Sequence, residues 1–557
     1  MHRIGRLFFA LLIATLGAAL LAGCSSSDAA APTTSAATDP TTTTGDDTAA
    51  TCDQGATLDP LEVAPVDGID SDATLTSFDG TEIRLHWFPV EGASADDPAP
   101  TLLMGPGWSL PGDTETDGGA LFSALSIAGM WDHGYNVLTW DPRGFGESEG
   151  TASVNDPDLE GRDVQGLLDF VAAQPEAELD RDADPRVGMV GFSYGGGIQL
   201  TAASIDCRID AIVPGLAWHS LRTSLYKSGI VKAGWSGVLT STAEITGTLD
   251  PHITSAAADG EATGAISDED QAWFDSRGPG DAVAEISIPT LFVSGTVDTL
   301  FTLDETLTNY DLLRDAGVPT AMLWFCGGHG TCLTEAGDPD RVADASFAWL
   351  DRYLRGDTSA PELPGLDLVD QEGTRWTAPA WPIETGEPIE AAGSGTLDLA
   401  ADGGAGPAAI PGTDDLLAGV VAGILPGPAE RALDVPIEVG DVDGVVVGAP
   451  ELTLAYSGTV DDGPEPTRVF AQLVDDATGV VLGTQITPIE VVLDGEAHEA
   501  TVDLEVVAHR VRPGQTLTLQ LVATTPAYAT PRLGGQVAFD RIEVALPVAA
   551  DGALAEG

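Results

Sequence analysis

Lysine is nearly missing from this sequence. Lys227 and Lys232 are the only two among 557 residues, and all basic side chains together number 23 against 87 acidic ones. A formal net charge of −64 leaves no basic patch to grip phosphate backbones or an anionic lipid surface. Nucleic acid and anionic membrane are therefore excluded as partners. The acids are spread along the chain rather than gathered in a tail. They read as a solvating surface of the kind that suits high salt. No internal repeat stands out.

Cysteine is scarce too, with five in all. Cys24 ends the sequence Leu21-Ala22-Gly23-Cys24, which follows Arg3, Arg6 and an apolar run from Leu7 to Leu21. That layout is a secretory signal peptide over residues 1–23, and its ending resembles a bacterial lipobox in which Cys24 becomes the lipid-modified first residue. As an uncleaved anchor the run is barely long enough to span a bilayer. Residues 24–56 are dominated by Ser, Thr, Ala, Asp and Pro, the composition of a disordered tether. The expected location is the outer face of the cell membrane, with contact to the bilayer only through the lipid. Cys52, Cys207, Cys326 and Cys332 remain, and four cysteines allow three pairings. Proximity favours Cys326 with Cys332, which leaves Cys52 with Cys207.

Residues 57–357 alternate strand and helix patterns. Ala73 to Phe88 alternates and breaks at Asp79-Gly80, as a hairpin does. Buried-strand runs follow at Thr101–Met104, Asn136–Trp140, Val187–Val190, Ile209–Pro214, Pro289–Ser294 and Thr320–Phe325. Between two of them, Asp156-Pro157 offers a cap and first-turn proline to a helix bearing Val164, Leu167, Leu168 and Val171 on one face. Another helix is expected from Gly196 to about Ser204, and a last one between about Pro339 and Leu354. Strand–helix–strand spacing of this kind predicts a doubly wound, mostly parallel α/β sheet. From about 216 to 285 the rhythm breaks into a Gly-, Ala-, Ser- and Thr-rich stretch with Trp218, Tyr226, Trp235 and Trp273, read as a helical cap. Residues 358–557 lose helical periodicity and carry short strands such as Leu452–Tyr456, Thr467–Val474 and Thr516–Val522, with a long loop or insertion over Gly403–Pro428. They predict a C-terminal β-sandwich.

Gly191-Phe192-Ser193-Tyr194-Gly195 after the Val187 strand fits a nucleophile elbow, where the glycines make room for a sharp strand-to-helix turn. The Tyr194 amide at the helix start is an oxyanion donor in such a turn. The loop Gly105-Pro106-Gly107-Trp108, after the first core strand, offers the second donor. Asp298 follows the next-to-last core strand and His329 lies in Cys326-Gly-Gly-His-Gly-Thr-Cys332 after the last, completing the order Ser…Asp…His. Histidine takes the serine proton during attack on a carbonyl and returns it to the leaving group. Aspartate fixes its tautomer. Asp304 is the rival acid, but falls in expected helix. His219, His133 and His252 rival His329, though all three precede Asp298 in the chain. Cys326, His329 and Cys332 also suggest zinc, yet a fourth ligand is lacking nearby and a disulfide bracing the histidine loop suits them better. No cofactor or metal is expected.

These residues, with Asp141-Pro142-Arg143-Gly144, resemble the Xaa-Pro dipeptidyl-peptidase and cocaine-esterase-like α/β-hydrolases. Thr487–Val491 and Ala508–Gly514 look like that family's C-terminal jelly-roll domain, so the likeness runs from about Leu58 onward. The resemblance implies the triad roles for Ser193, Asp298 and His329 and an oxyanion role for the Tyr194 amide. Family members often use a tyrosine after the first core strand as the other donor. Here Trp108 stands nearest, so the donor is either its indole or a backbone amide of Gly107 or Trp108. The implied substrate is a peptide, with Xaa-Pro dipeptides removed, or a small ester. A hydrolase scaffold used only for binding at the cell surface is the reading from another class.

Overall fold

The computed structural model describes residues 60–118, 124–408, 423–461 and 466–557. The signal peptide, Cys24, the tether and Cys52 lie outside the described residues. The Asp79-Gly80 turn joins β1 (Asp70–Thr76) to β2 (Glu82–Phe88) as an antiparallel hairpin, with Gly80 at φ +89°. Eight further strands build on it: β3 (Thr101–Gly105), β4 (Asn136–Trp140), β5 (Val187–Phe192), β6 (Ile209–Gly215), β7 (Thr290–Gly295), β8 (Thr320–Phe325), β9 (Leu366–Val369) and β10 (Arg375–Ala378). Their order is β1-β2-β4-β3-β5-β6-β7-β8-β9-β10, and the short strand Ala555–Glu556 closes an 11-stranded sheet. From β4 to β9 all neighbours are parallel.

Both faces of that sheet are covered, which is why its strands read as apolar runs rather than alternations. Leu102 packs with Val190, Val213, Leu291 and Leu323 on one face, and Leu103 with Met189, Ile212, Phe292 and Met322 on the other. Helices Ile127–Asp132 and Arg341–Tyr353 supply Met130, Phe347 and Leu350 to the first face. Helix Glu160–Ala173 supplies Val164, Leu167, Leu168 and Val171 to the second, all fully buried. This helix starts one turn later than the Asp156-Pro157 signal indicates. The Asp156 carboxylate closes a turn onto the Asp158 amide at 2.8 Å instead of capping the helix. The elbow helix begins earlier than expected, at Tyr194, and runs to Ile205.

Residues 221–275 form the helical cap, with helices Leu221–Leu225, Ala233–Thr246, Pro251–Thr263 and Asp268–Asp275. Trp218, Trp235 and Trp273 bury into one cluster with Phe145, Tyr194, Leu300 and Phe301, which seats the cap over the elbow. Beyond it, the expected boundary at 357/358 falls in the wrong place. β9 and β10 follow it and still belong to the hydrolase sheet, pairing with β8 and with Ala555–Glu556. Between β10 and that last strand lies the sandwich, built of a four-stranded sheet (Ile389–Asp398, Gly535–Leu546, Glu451–Val460, Asp494–Asp503) and a five-stranded sheet that includes Thr467–Asp475 and Thr516–Val522. Within the expected loop at 403–428, Ala405–Pro407 pairs with Pro426–Ala429, and residues 409–422 lie outside the described ones. The sandwich is continuous with the catalytic core, since Val445, Val447, Val506 and Ala508 pack into the cluster that holds Trp324, Leu368 and Trp376. Among the described residues no helix is long and apolar enough to cross a membrane.

Candidate active site

The elbow turns in the least space a backbone allows. Ser193 sits at φ 59° and ψ −117°, a conformation L-residues adopt rarely and only when their surroundings hold it. A Cβ on Gly195 would stand 2.2 Å from the Gly105 carbonyl oxygen, and one on Gly191 2.8 Å from the same atom. Side chains at either position would push β3 away from the turn. The Ser193 amide donates to the Gly215 carbonyl at 2.8 Å and so pins the turn to β6.

Asp298, just past the end of β7, and His329, just past the end of β8, meet Ser193 across the sheet edge. His329 Nε2 lies 2.8 Å from Ser193 Oγ, and its Nδ1 lies 2.7 Å from Asp298 Oδ2. Asp298 is fully buried, and both its oxygens are satisfied. Oδ1 accepts from the Leu300 and Phe301 amides, each at 2.9 Å, while Oδ2 also accepts the His329 amide at 3.1 Å. The imidazole is held edge-on between the Phe301 and Trp235 rings, at centroid separations of 5.1 Å and 5.8 Å. Such a histidine has one orientation, with Nδ1–H toward the carboxylate and Nε2 toward the hydroxyl.

The rivals lie elsewhere, each with its own partner. Asp304 is on helix Leu303–Asp315, 3.3 Å from Lys227. His133 contacts Asp351 at 2.9 Å and stacks on Phe347, His219 contacts Asn309 at 2.9 Å, and His252 contacts Asp270 at 2.7 Å. Cys326 and Cys332 are joined as a disulfide across the histidine loop, with Cα atoms 5.4 Å apart, so their sulfurs are spent on each other rather than on a metal.

Of the two alternatives for the second donor, the Trp108 indole is engaged elsewhere. Its Nε1–H donates to the Leu239 carbonyl in the cap at 3.0 Å, so the ring ties the loop to the cap and is not free to bind an oxyanion. The ring also stands edge-on to Phe145 and Tyr194, at 4.9 Å and 5.1 Å. What the loop can offer is backbone amide, from Gly107 or Trp108, opposite the Tyr194 amide. That amide belongs to the first residue of its helix and has no intrahelical partner. Asp141 and Arg143 have structural roles. The Asp141 carboxylate accepts the Gly112 and Glu147 amides at 2.8 Å and 2.7 Å, and Arg143 forms a buried ion pair with Asp163 at 2.7 Å.

A cavity of about 820 Å³, open mouth included, lies between Ser193 and the cap. Trp218, Leu225, Leu239, Ile253, Phe274 and Phe301 are typical of its walls. No aspartate or glutamate is among the described residues that line it, and Arg222 is the one charged side chain there, with its Nε donating to Asp275 at 2.5 Å.

Sequence reasoning had missed what holds the acid turn. Lys232, Trp235 and Gln485 each bond to the segment Asp298–Leu300 from outside the hydrolase sheet. For Lys232 a signal existed, since a buried lysine is costly and this chain has only two. Gln485 carried none.

A serine on a strained elbow at the edge of a doubly wound sheet, under a helical cap, makes this chain an α/β-hydrolase. Residues 79–331 match the family of X-Pro dipeptidyl-peptidases (S15 family). Among solved structures the chain is similar to a CocE/NonD family hydrolase from Staphylococcus aureus, with a TM-score of 0.62 and 13% identity over 86% of this chain and 93% of that one. It is equally similar to an alpha-amino acid ester hydrolase, with a TM-score of 0.62 and 14% identity over 88% and 98% of the two chains. These likenesses extend through the C-terminal all-β region and concern the fold. A curated relative, a polyketide transferase from a Penicillium species, is 31% identical over 145 residues, 26% of this chain and 43% of its own length. The chain thus spans less than half of that relative.

Proposed function

We propose that this chain is a serine hydrolase that cleaves esters of apolar, uncharged acyl groups through an acyl-enzyme. The observation that carries the hydrolase reading is the unbroken hydrogen-bonded line from Ser193 Oγ through His329 to Asp298, at 2.8 Å and 2.7 Å. In this reading Ser193 Oγ bonds to the ester carbonyl carbon as His329 Nε2 takes its proton. Negative charge gathers on the former carbonyl oxygen, opposite the Tyr194 amide and a backbone amide of the Gly107–Trp108 segment. The C–O bond to the leaving group breaks as His329 returns the proton to the departing alcohol. Water repeats the sequence, freeing the acid and restoring Ser193.

Ester is favoured over peptide by the pocket. The family description points to Xaa-Pro peptides, whose free ammonium needs a carboxylate in the site. Burying that ammonium against apolar walls costs several kcal/mol. Trp218, Ile253, Phe274 and their neighbours suit an apolar acyl chain or ring instead. The test sets a p-nitrophenyl ester beside a Gly-Pro anilide. The ester is expected to turn over at least roughly 100-fold faster, and a faster anilide would return the peptidase reading. A fluorophosphonate is expected to label the wild type and not Ser193→Ala. No labelling of either would leave the binding-scaffold reading.

We also propose that the protein is exported and held at the outer face of the membrane by a lipid on Cys24. Arg3, Arg6, the Leu7–Leu21 run and Leu21-Ala22-Gly23-Cys24 support it. Mass spectrometry of the N-terminal peptide is expected to begin at a lipidated Cys24, and an intact Met1 end would refute it.

A further inference from the structure

The segment that carries the acid, Val297 to Phe301, has its carboxylate turned into the site and its main-chain carbonyls turned outward. Two of those carbonyls and the Thr299 hydroxyl are met by side chains that do not come from the hydrolase sheet. Gln485 Nε2 donates to the Asp298 carbonyl at 2.7 Å, across 187 residues of sequence. Lys232 Nζ donates to the Leu300 carbonyl at 3.0 Å, and Trp235 Nε1 donates to Thr299 Oγ1 at 3.0 Å. Lys232 and Trp235 belong to the start of the cap helix, while Gln485 belongs to a turn of the sandwich.

That sandwich turn is itself fixed. Gly483 and Thr484 stand at φ 63° and 51°, the second a left-handed conformation that a β-branched residue adopts only under constraint. The Gly483 amide is anchored on Gln371 Oε1 at 2.8 Å, in the loop between β9 and β10. Thr484 is fully buried and Gln485 nearly so, so the donor at the Asp298 carbonyl faces no competition from bulk water. An amide held this way by its neighbours is preorganised rather than recruited.

We propose that Gln485, supplied by the sandwich, is a positioning residue for Asp298: by holding the acid's main-chain carbonyl it sets the carboxylate that orients His329, so the sandwich is a working part of the triad. The inference rests on Ser193, Asp298 and His329 acting as a triad. A carboxylate that drifts by a few tenths of an ångström relaxes the imidazole toward other orientations, which costs rate in the transition state and not ground-state binding. Lys232 grips the same turn from the cap side, so the two domains hold it between them.

The test is Gln485→Met, which keeps the length and removes the donor. Active sites are counted with a fluorophosphonate, and kcat and KM for a p-nitrophenyl ester are expressed per labelled site. We expect kcat per site to fall about tenfold, the fluorophosphonate inactivation rate to fall in parallel, and KM to stay within about twofold. Gln536→Met, at an exposed position of the sandwich strand Gly535–Leu546 where the side-chain amide donates to Asp398 at 2.7 Å, is the control and should match the wild type. A wild type that is labelled, with Gln485→Met unchanged in kcat per site, overturns the inference, because a purely structural glutamine lowers the number of sites and not the rate of each. If Gln485→Met is insoluble, Gln485→Asn, whose amide falls short of the carbonyl, is read in the same way. A wild type that is not labelled would overturn the hydrolase reading instead, which separates the two failures.

Discussion

The Tyr194 hydroxyl donates to the Glu160 carboxylate at 3.3 Å, directly behind the nucleophile elbow, and both groups are buried. Glu160 also accepts the Ser153 and Asp156 amides, at 2.6 Å and 3.1 Å. Burial nevertheless dominates and pushes its carboxyl up to about 7. In the unfolded chain that carboxyl ionises at an ordinary glutamate value, so between the two values the folded state holds an extra proton. As the pH rises through this window the group costs stability progressively. We expect Glu160→Gln to be less stable than the wild type at pH 4.5, and the gap to shrink as the pH approaches 8. Thermal midpoints of both proteins across that range check it, and a constant gap would refute it.

Gly195 and Gly237 make opposite predictions from the same substitution. At Gly195 the added methyl would meet the Gly105 carbonyl oxygen at 2.2 Å, backbone against backbone, with no side chain free to yield. Gly195→Ala is expected to cost about 3 kcal/mol or more and to abolish turnover. At Gly237, inside cap helix Ala233–Thr246, nothing lies within 4 Å of the new methyl. Gly237→Ala is expected to stabilise by about 0.5–1 kcal/mol and leave kcat unchanged. Denaturant melts and ester turnover read both.

Trp108→Phe separates an oxyanion donor from a strut. Because the indole N–H is bonded to Leu239, we expect kcat to change by less than about fivefold, with a loss of stability of about 1 kcal/mol. A loss of about 100-fold in kcat would mean that the ring turns to the oxyanion during reaction.

The disulfide across the histidine loop closes a short ring, with a sequence separation of 6. Replacing both partners, Cys326→Ser with Cys332→Ser, is expected to cost about 2 kcal/mol of stability by the chain-entropy estimate. Per-site kcat should fall as well, because His329 lies inside that ring. An unchanged thermal midpoint would show that the loop is held by its packing alone.

Several of these features were open to sequence reading because local chemistry demands them. A strand that must turn in the space beside Gly105 needs glycine at 191 and 195. An aspartate and a histidine just past apolar runs, in that order, read as strand-end groups. What the sequence hid was set by distant partners. The Trp108 indole stays open as one of two donors in the sequence because nothing local shows that the Leu239 carbonyl, 131 residues away, takes its N–H. Gln485 sits in an unremarked turn whose importance is its proximity to Asp298. The domain boundary was misread for a related reason. Proline and glycine rise from about Gly356, before the sheet has finished, so composition changes while the topology does not.

Trp376 pairs with Glu556 at the edge of the hydrolase sheet, so the chain leaves for the sandwich and comes back at neighbouring points. Topologically the sandwich is an insert, held by two closely spaced stems. An insert with adjoining stems can be exchanged as a cassette without cutting the core around it. The replacement would need two things beyond its own stable fold: apolar side chains where Val445, Val447, Val506 and Ala508 now cover the hydrolase core, and a hydrogen-bond donor delivered to the carbonyl of Asp298.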